Sequence, residues 1–151
     1  MRFVVKRKGG VLGFLQVVVL WVSRHRPLEA QVRSLRERLG GDVEIVHLPY
    51  APSADYVLEK AREIGAEYIV PVLPLSFIAH LAERGREEGF SILFARMEQI
   101  AATRNPAEAR RLIEEDPSRR TAVSYPDGTI RVFEFKRFER VRKVELVTEP
   151  F

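Results

Sequence analysis

The sequence predicts an α/β fold: a Rossmann-like parallel sheet core with a C-terminal helix and β-hairpin extension. Three observations carry this reading. Residues 17–22 (Val-Val-Val-Leu-Trp-Val) are continuously apolar and rich in valine, as a central strand covered on both faces must be. From there strand-like and helix-like segments alternate three times with short connections, which demands parallel strands joined by right-handed crossovers. Beyond residue 98 the pattern changes to one helix and then strands on either side of Asp127-Gly128, a favoured hairpin turn pair.

The elements follow in order. Residues 2–7 read as a short edge strand, broken by Gly9-Gly10 and Gly13. After the apolar run, Pro27 opens a helix in which Leu28, Val32, Leu35 and Leu39 recur at helical spacing, and Gly40-Gly41 ends it. Residues 43–48 form the next strand. Ser53 caps a helix carrying Val57, Leu58, Ala61 and Ile64, stopped at Gly65. Residues 68–73 form a third strand, where Pro71 lacks a ladder donor and implies an edge or a bulge. A helix then runs through Phe77, Ile78, Leu81 and Ala82 to a stop near Gly85, and residues 91–95 form a fourth strand. Asn105-Pro106 starts a helix to Glu115, residues 121–125 and 130–135 form the hairpin, and a last strand covers roughly 141–148. No flexible linker interrupts the chain, so residues 1–151 read as a single domain, with a core at about 15–98 and an extension at about 99–151.

A hydrophobic fraction of 46% with 30% charged residues is globular rather than disordered. The absence of cysteine excludes disulfides, thiolate metal sites and a cysteine nucleophile, and fits a reducing cytoplasm. A net charge of +4 mildly favours acidic partners without being the dense basic block of a DNA-coating protein. Of 25 basic residues only Lys6, Lys8, Lys60, Lys136 and Lys143 are lysines. Arginine forks match phosphate oxygens, although a thermophile or GC-rich coding produces the same bias. The apolar run is too short for a bilayer. Arg2, Lys6, Arg7 and Lys8 precede it with no small-residue cleavage site after it, so neither a membrane span nor a signal peptide is expected and a cytoplasmic location is.

In open parallel sheets ligands bind beyond the carboxyl ends of strands, where the strand order reverses. With the four core strands ordered 2-1-3-4, that switch falls between the first and third. The first ends in Ser23-Arg24-His25, followed by Arg26; the third leads into Pro74 and Ser76; the fourth should bring Arg96, Met97, Glu98 and Gln99 to the same rim. Helix N-termini following these strands would add amides and positive dipole. Ser23, Arg24 and His25 are the candidate catalytic residues, since serine donates hydrogen bonds, arginine pairs with phosphate and histidine moves protons near neutral pH. Arg26, Pro74, Ser76, Glu98 and Gln99 are the candidate ligand contacts. The alternative is that Ser23 and His25 only cap the helix begun by Pro27. His47 and His80 carry less weight, His80 being better read as structural, and no carboxylate pair at ligand spacing supports a metal. No Gly-rich dinucleotide or Walker loop follows any strand. Residues 136–143 interleave basic and apolar side chains, which suits either an RNA surface or a strand with one solvated face.

The Arg-His pair is similar to that of histidine phosphatases, but Arg26 stands where their glycine would, and no second histidine motif follows. Trp21-Val22-Ser23-Arg24-His25, then Leu73-Pro74-Leu75, Ala79, Leu81 and Gly85, resemble the small CRISPR-associated Rossmann-like proteins of the ring-nuclease type, relatives of CARF domains. The resemblance covers roughly residues 17–98 and departs at Arg26, which separates the histidine from Pro27. It implies a homodimer that binds cyclic oligoadenylate at its strand ends in antiviral defence. It also implies metal-independent cleavage of that ring by a ribose 2′-hydroxyl, with no cofactor. The alternatives are a non-catalytic sensor of the same nucleotide and a module that binds RNA through its C-terminal strands.

Overall fold

The structure, a computed structural model, describes residues 5–8, 11–14 and 17–151. The elements are β1 (Val5–Lys8), β2 (Val11–Phe14), β3 (Val17–Val22), α1 (Glu29–Leu39), β4 (Val43–Leu48), α2 (Ala54–Ile64), β5 (Tyr68–Pro71), α3 (Leu75–Glu88), β6 (Ser91–Thr103), α4 (Pro106–Glu115), β7 (Arg120–Ser124) and β8 (Ile130–Arg140). β1 and β2 pair antiparallel, from Val5↔Phe14 to Lys8↔Val11. The edge strand expected at residues 2–7 is therefore half of a two-stranded ribbon from Val5 on, and residues 2–4 lie outside the described residues. The other six strands hydrogen-bond in the order β4-β3-β5-β6-β8-β7. β4, β3, β5 and β6 are parallel, in the order expected, but β7 and β8 pair antiparallel, so the sheet is mixed rather than parallel throughout. No helix among the described residues is long and apolar enough to cross a membrane.

The chain groups into two units, the first holding residues 1–26, 39–94 and 140–151, the second residues 27–38 and 95–139. In the first, β3 is buried on both faces. Leu20 and Val22 pack with Val57, Leu58 and Ala61 of α2, Leu81 of α3 and Ile92 of β6, while Val19 and Trp21, on the opposite face, are equally enclosed. Full enclosure explains why the run has no polar alternation. α2 starts where Ser53 Oγ accepts from Tyr56 N (3.1 Å) and stops at Gly65 in the left-handed region. The same local signals had predicted both ends.

Two expectations for this unit need correction. Pro71 marks neither an edge nor a bulge: β5 lies between β3 and β6 and ends on it, short of residue 73. Val72 N donates to Val22 O, so the neighbouring position 71 turns its missing N–H toward β6, beyond the pairs Tyr68↔Ser91 and Ile69↔Ile92. Gly85 is not a helix stop either. α3 continues to Glu88, with Gly89 as its left-handed cap, and a Cβ at position 85 would come within 3.1 Å of Ile92 Cδ1. The glycine lets the helix approach the strand beneath it.

In the second unit, α1 buries Ala30, Gln31 and Leu35, and α4 begins at Asn105, whose Oδ1 accepts from Ala107 N (3.0 Å). β7 and β8 are joined through Tyr125–Thr129, with Gly128 at φ 85° and Thr129 N donating to Asp127 Oδ1 (2.9 Å). Both remaining strands differ in length from expectation. β6 runs on to Thr103 and β8 to Arg140, because their polar residues have cross-strand partners. Arg96 meets Glu139 (2.7 Å) and Lys136 meets Glu98 (3.4 Å), pairs whose opposite sequence directions are those of antiparallel neighbours. Residues 141–148 form no strand. Val141 N donates to Ile92 O, and from residue 142 onward the chain is exposed.

Candidate functional site at the strand ends

The three parallel strands β4, β3 and β5 of the first unit finish in one row, because Val22 is aligned with Leu48 on one side and with Pro71 on the other. Their loops therefore leave from the same edge: residues 23–26 from β3, residues 49–53 from β4 and residues 72–74 from β5.

The first of these loops is a turn whose backbone is held from several directions. Ser23 N donates to Leu48 O (3.2 Å). Ser23 Oγ accepts from His25 N (3.1 Å), a serine turn closed on itself. His47 Nε2 lies 2.6 Å from Ser23 O, and because a carbonyl only accepts, Nε2 carries the hydrogen. Trp21 Nε1 donates to His25 O (3.0 Å) from a ring that is only 2% exposed. Buried Ser23 is thus part of the frame, while Arg24, His25 and Arg26 are exposed upon it, and neither arginine meets a carboxylate among the described residues.

The β5 loop ends at Pro74, which precedes α3 with no side chain capping the helix and no acidic residue in its first turn. Leu75 and Ser76 stand exposed at its start, while the Phe77 and Ile78 amides donate to the Pro74 carbonyl (2.9 and 3.2 Å). The β4 loop adds Tyr50, 72% exposed, which the sequence reading passed over. An aromatic residue just after a strand-end proline was the available signal. His47 was underrated because its task, holding the Ser23 carbonyl, becomes visible only through the register Trp21↔His47.

Arg24, His25, Arg26 and Pro74 therefore belong to adjoining strand-end loops, and Ser76 to the first turn of the helix that follows one of them. Glu98 and Gln99 do not stand at a strand end: both lie within β6, in the second unit, and Glu98 pairs with Lys136. The α1 N-terminus also departs from expectation. Leu28 N is taken by Gln31 Oε1 (2.7 Å) and Ala30 N by Ser118 O (2.9 Å), so these amides already serve the second unit's own packing. Gln31 Nε2 in turn lies 3.7 Å from Met97 Sδ. His80 contacts Asp55 (3.3 Å) on the α2–α3 surface.

The basic stretch 136–143 is largely neutralised where it is strand. Glu134 sits between Lys136 (2.7 Å) and Arg120 (3.0 Å), and these two hold its carboxyl below the ordinary glutamate range, Lys136 the more strongly. Glu139 is likewise held down, first by Arg96 and then by Arg137. Comparison with known protein families, with curated proteins and with solved structures finds no match to this chain.

Proposed function

We propose that the strand-end turn binds phosphodiester groups of a cyclic oligoadenylate and cleaves the ring without a metal. One observation carries the reading: a turn fixed through its backbone presents Arg24, His25 and Arg26 outward with no carboxylate partner among the described residues, on the same row of strand ends as a helix N-terminus without a side-chain cap and an exposed tyrosine. Cations on a fixed frame need little reorganisation to meet phosphate. Tyr50 offers a face on which a base can stack. In this reading the four parallel strands form a Rossmann-like half. A four- or six-fold ring exceeds one small rim, so two copies present paired turns to it.

In the reaction a ribose 2′-oxygen attacks the adjacent phosphorus. Its proton departs, the bond from phosphorus to the 5′-oxygen breaks, and that oxygen gains a proton. The products are a 2′,3′-cyclic phosphate and a 5′-hydroxyl. Arg24 balances the charge gathering on the phosphoryl oxygens, and His25 moves the proton. Ser23 orients the turn and touches no reacting atom.

The other imidazole at these strand ends, His47, already holds the Ser23 carbonyl. That favours a second reading, in which a turn with one accessible imidazole senses the nucleotide without cutting it. Trp21 is the only tryptophan and is bonded to the turn, so its fluorescence reports occupancy directly. Titration with cyclic tetra- and hexa-adenylate, followed by product separation with EDTA present, tests both readings. A fluorescence change with 2′,3′-cyclic phosphate products supports the enzyme, a change with intact ring supports the sensor, and no change with either ring refutes both.

A further inference from the structure

Residues 142–149 have strand chemistry but no strand partner among the described residues. Val144 is 41% exposed, and Leu146 and Val147 are 88% and 87% exposed, although such side chains are ordinarily covered. The segment belongs to no helix or strand, but one contact within it has the spacing of an extended chain. Lys143 Nζ lies 3.4 Å from Glu145 Oε2, and side chains two residues apart meet in this way when they share one face of a pleated chain. Lys143 and Glu145 thus mark one face and Val144 and Leu146 the other. The anchor is firm, because Val141 packs on the first unit's core and donates to Ile92 O.

We propose that this segment pairs antiparallel with the same segment of a second copy, about a two-fold axis through Val144. Charge complementarity identifies that occupant. In this register Lys143 lies opposite Glu145 of the other copy and Glu145 opposite its Lys143. Each cation then has a carboxylate along its own strand and another across the ladder. Val144 faces Val144, and the stem of Arg142 covers Leu146. Moving the axis by one residue either way sets Glu145 against Glu145 or Lys143 against Lys143. Pro150, which has no N–H, ends the ladder. The proposal does not depend on the nucleotide reading, since it uses none of the strand-end residues.

The test is sedimentation of the full chain across roughly 10 µM to 1 mM, a range suited to a small interface. Wild type should shift from one-chain to two-chain mass with rising concentration. Lys143→Glu and Glu145→Lys should each remain one-chain across the range, while their equimolar mixture should regain the two-chain species, because only the mixed ladder opposes unlike charges. As the protein has no cysteine, Val144→Cys should cross-link two copies under mild oxidation and Leu146→Cys should not. Wild type staying one-chain throughout, single variants associating as wild type does, or cross-linking through residue 146 instead of residue 144 would each overturn the proposal. Unchanged circular dichroism in the single variants separates lost pairing from lost folding.

Discussion

The arginines of the strand-end turn and those of the second unit show two different uses of one side chain. In the second unit, Arg120 bonds Glu134, Glu115 and the Leu112 carbonyl, Arg96 bonds Glu139, and Arg119 bonds the Phe135 carbonyl. Every one of these ties one part of that unit to another. In the turn of the first unit the relation is inverted: the backbone is tied down by Ser23, His47 and Trp21, and the guanidinium groups are left to solvent. Arginines of the first kind hold a fold together. Those of the second kind are held in place by it, which is the arrangement a ligand site requires.

The sharpest way to break this comparison is to remove the groups on the turn. If the site cleaves, His25→Ala should lower single-turnover cleavage of cyclic tetra-adenylate by roughly 10²–10⁴-fold with binding nearly preserved. Arg24→Ala should weaken binding by about 10–100-fold, the scale of one charged hydrogen-bonded contact. Both variants should melt within about 1–2 °C of wild type, since neither residue supports the fold. A melting temperature lowered well beyond that, with binding intact, would return the turn to a structural role.

The reciprocal experiment is Arg120→Ala. It leaves the Leu112 carbonyl and Glu134 short of a partner, so the melting temperature should fall clearly while Trp21 fluorescence still responds to nucleotide. Loss of the response in a folded protein would show that the two kinds of arginine are not separable. Gly85→Val addresses the first unit's packing. A Cβ there would lie 3.1 Å from Ile92 Cδ1, so Ile92 must shift to admit the larger side chain, which should cost about 1–3 kcal/mol in chemical denaturation.

What could be read in the sequence follows from how far each signal reaches. Ser53 and Gly65 bound α2 through contacts within four residues, so both ends were legible. The enclosed strand β3 was legible because continuous burial leaves a continuous apolar run. Gly85 was not, because a glycine that stops a helix and one that admits a neighbouring strand look alike until Ile92 is in place. β6 was cut short at residue 95 because Arg96, Glu98 and Gln99 look like loop. Their strand partners Glu139 and Lys136 lie some forty residues away. Residues 141–148 failed in the other direction, having a strand's alternation with no neighbouring strand among the described residues to complete it. At the candidate site, the strand-end position of Arg24, His25 and Arg26 was legible from the apolar run before them. The hydrogen bond from His47 to the Ser23 carbonyl depends on the alignment of two strands and could not be read from either alone.

The gentlest probe of the comparison is pH. Glu134 is held below its ordinary value of 4.5 by Lys136 and Arg120, and Glu139 below the same value by Arg96 and Arg137. A carboxylate with a depressed folded pKa contributes its full stability above the ordinary value and loses it as pH falls through the folded one. Lys136 is raised above its ordinary 10.5, chiefly by Glu134, so its contribution is complete below that value and fades only as pH rises past it. The second unit's ion pairs should therefore give a flat melting temperature between about pH 5 and 10, with a decline on the acid side that Glu134→Gln makes shallower. The turn carries no carboxylate that could follow the same course. At moderate acid pH, where the protein is still folded, wild type and Glu134→Gln should bind nucleotide alike by Trp21 fluorescence while their melting temperatures draw together. If affinity moved with the melting temperature instead, the paired arginines would be acting on the site, and the division between the two kinds would fail.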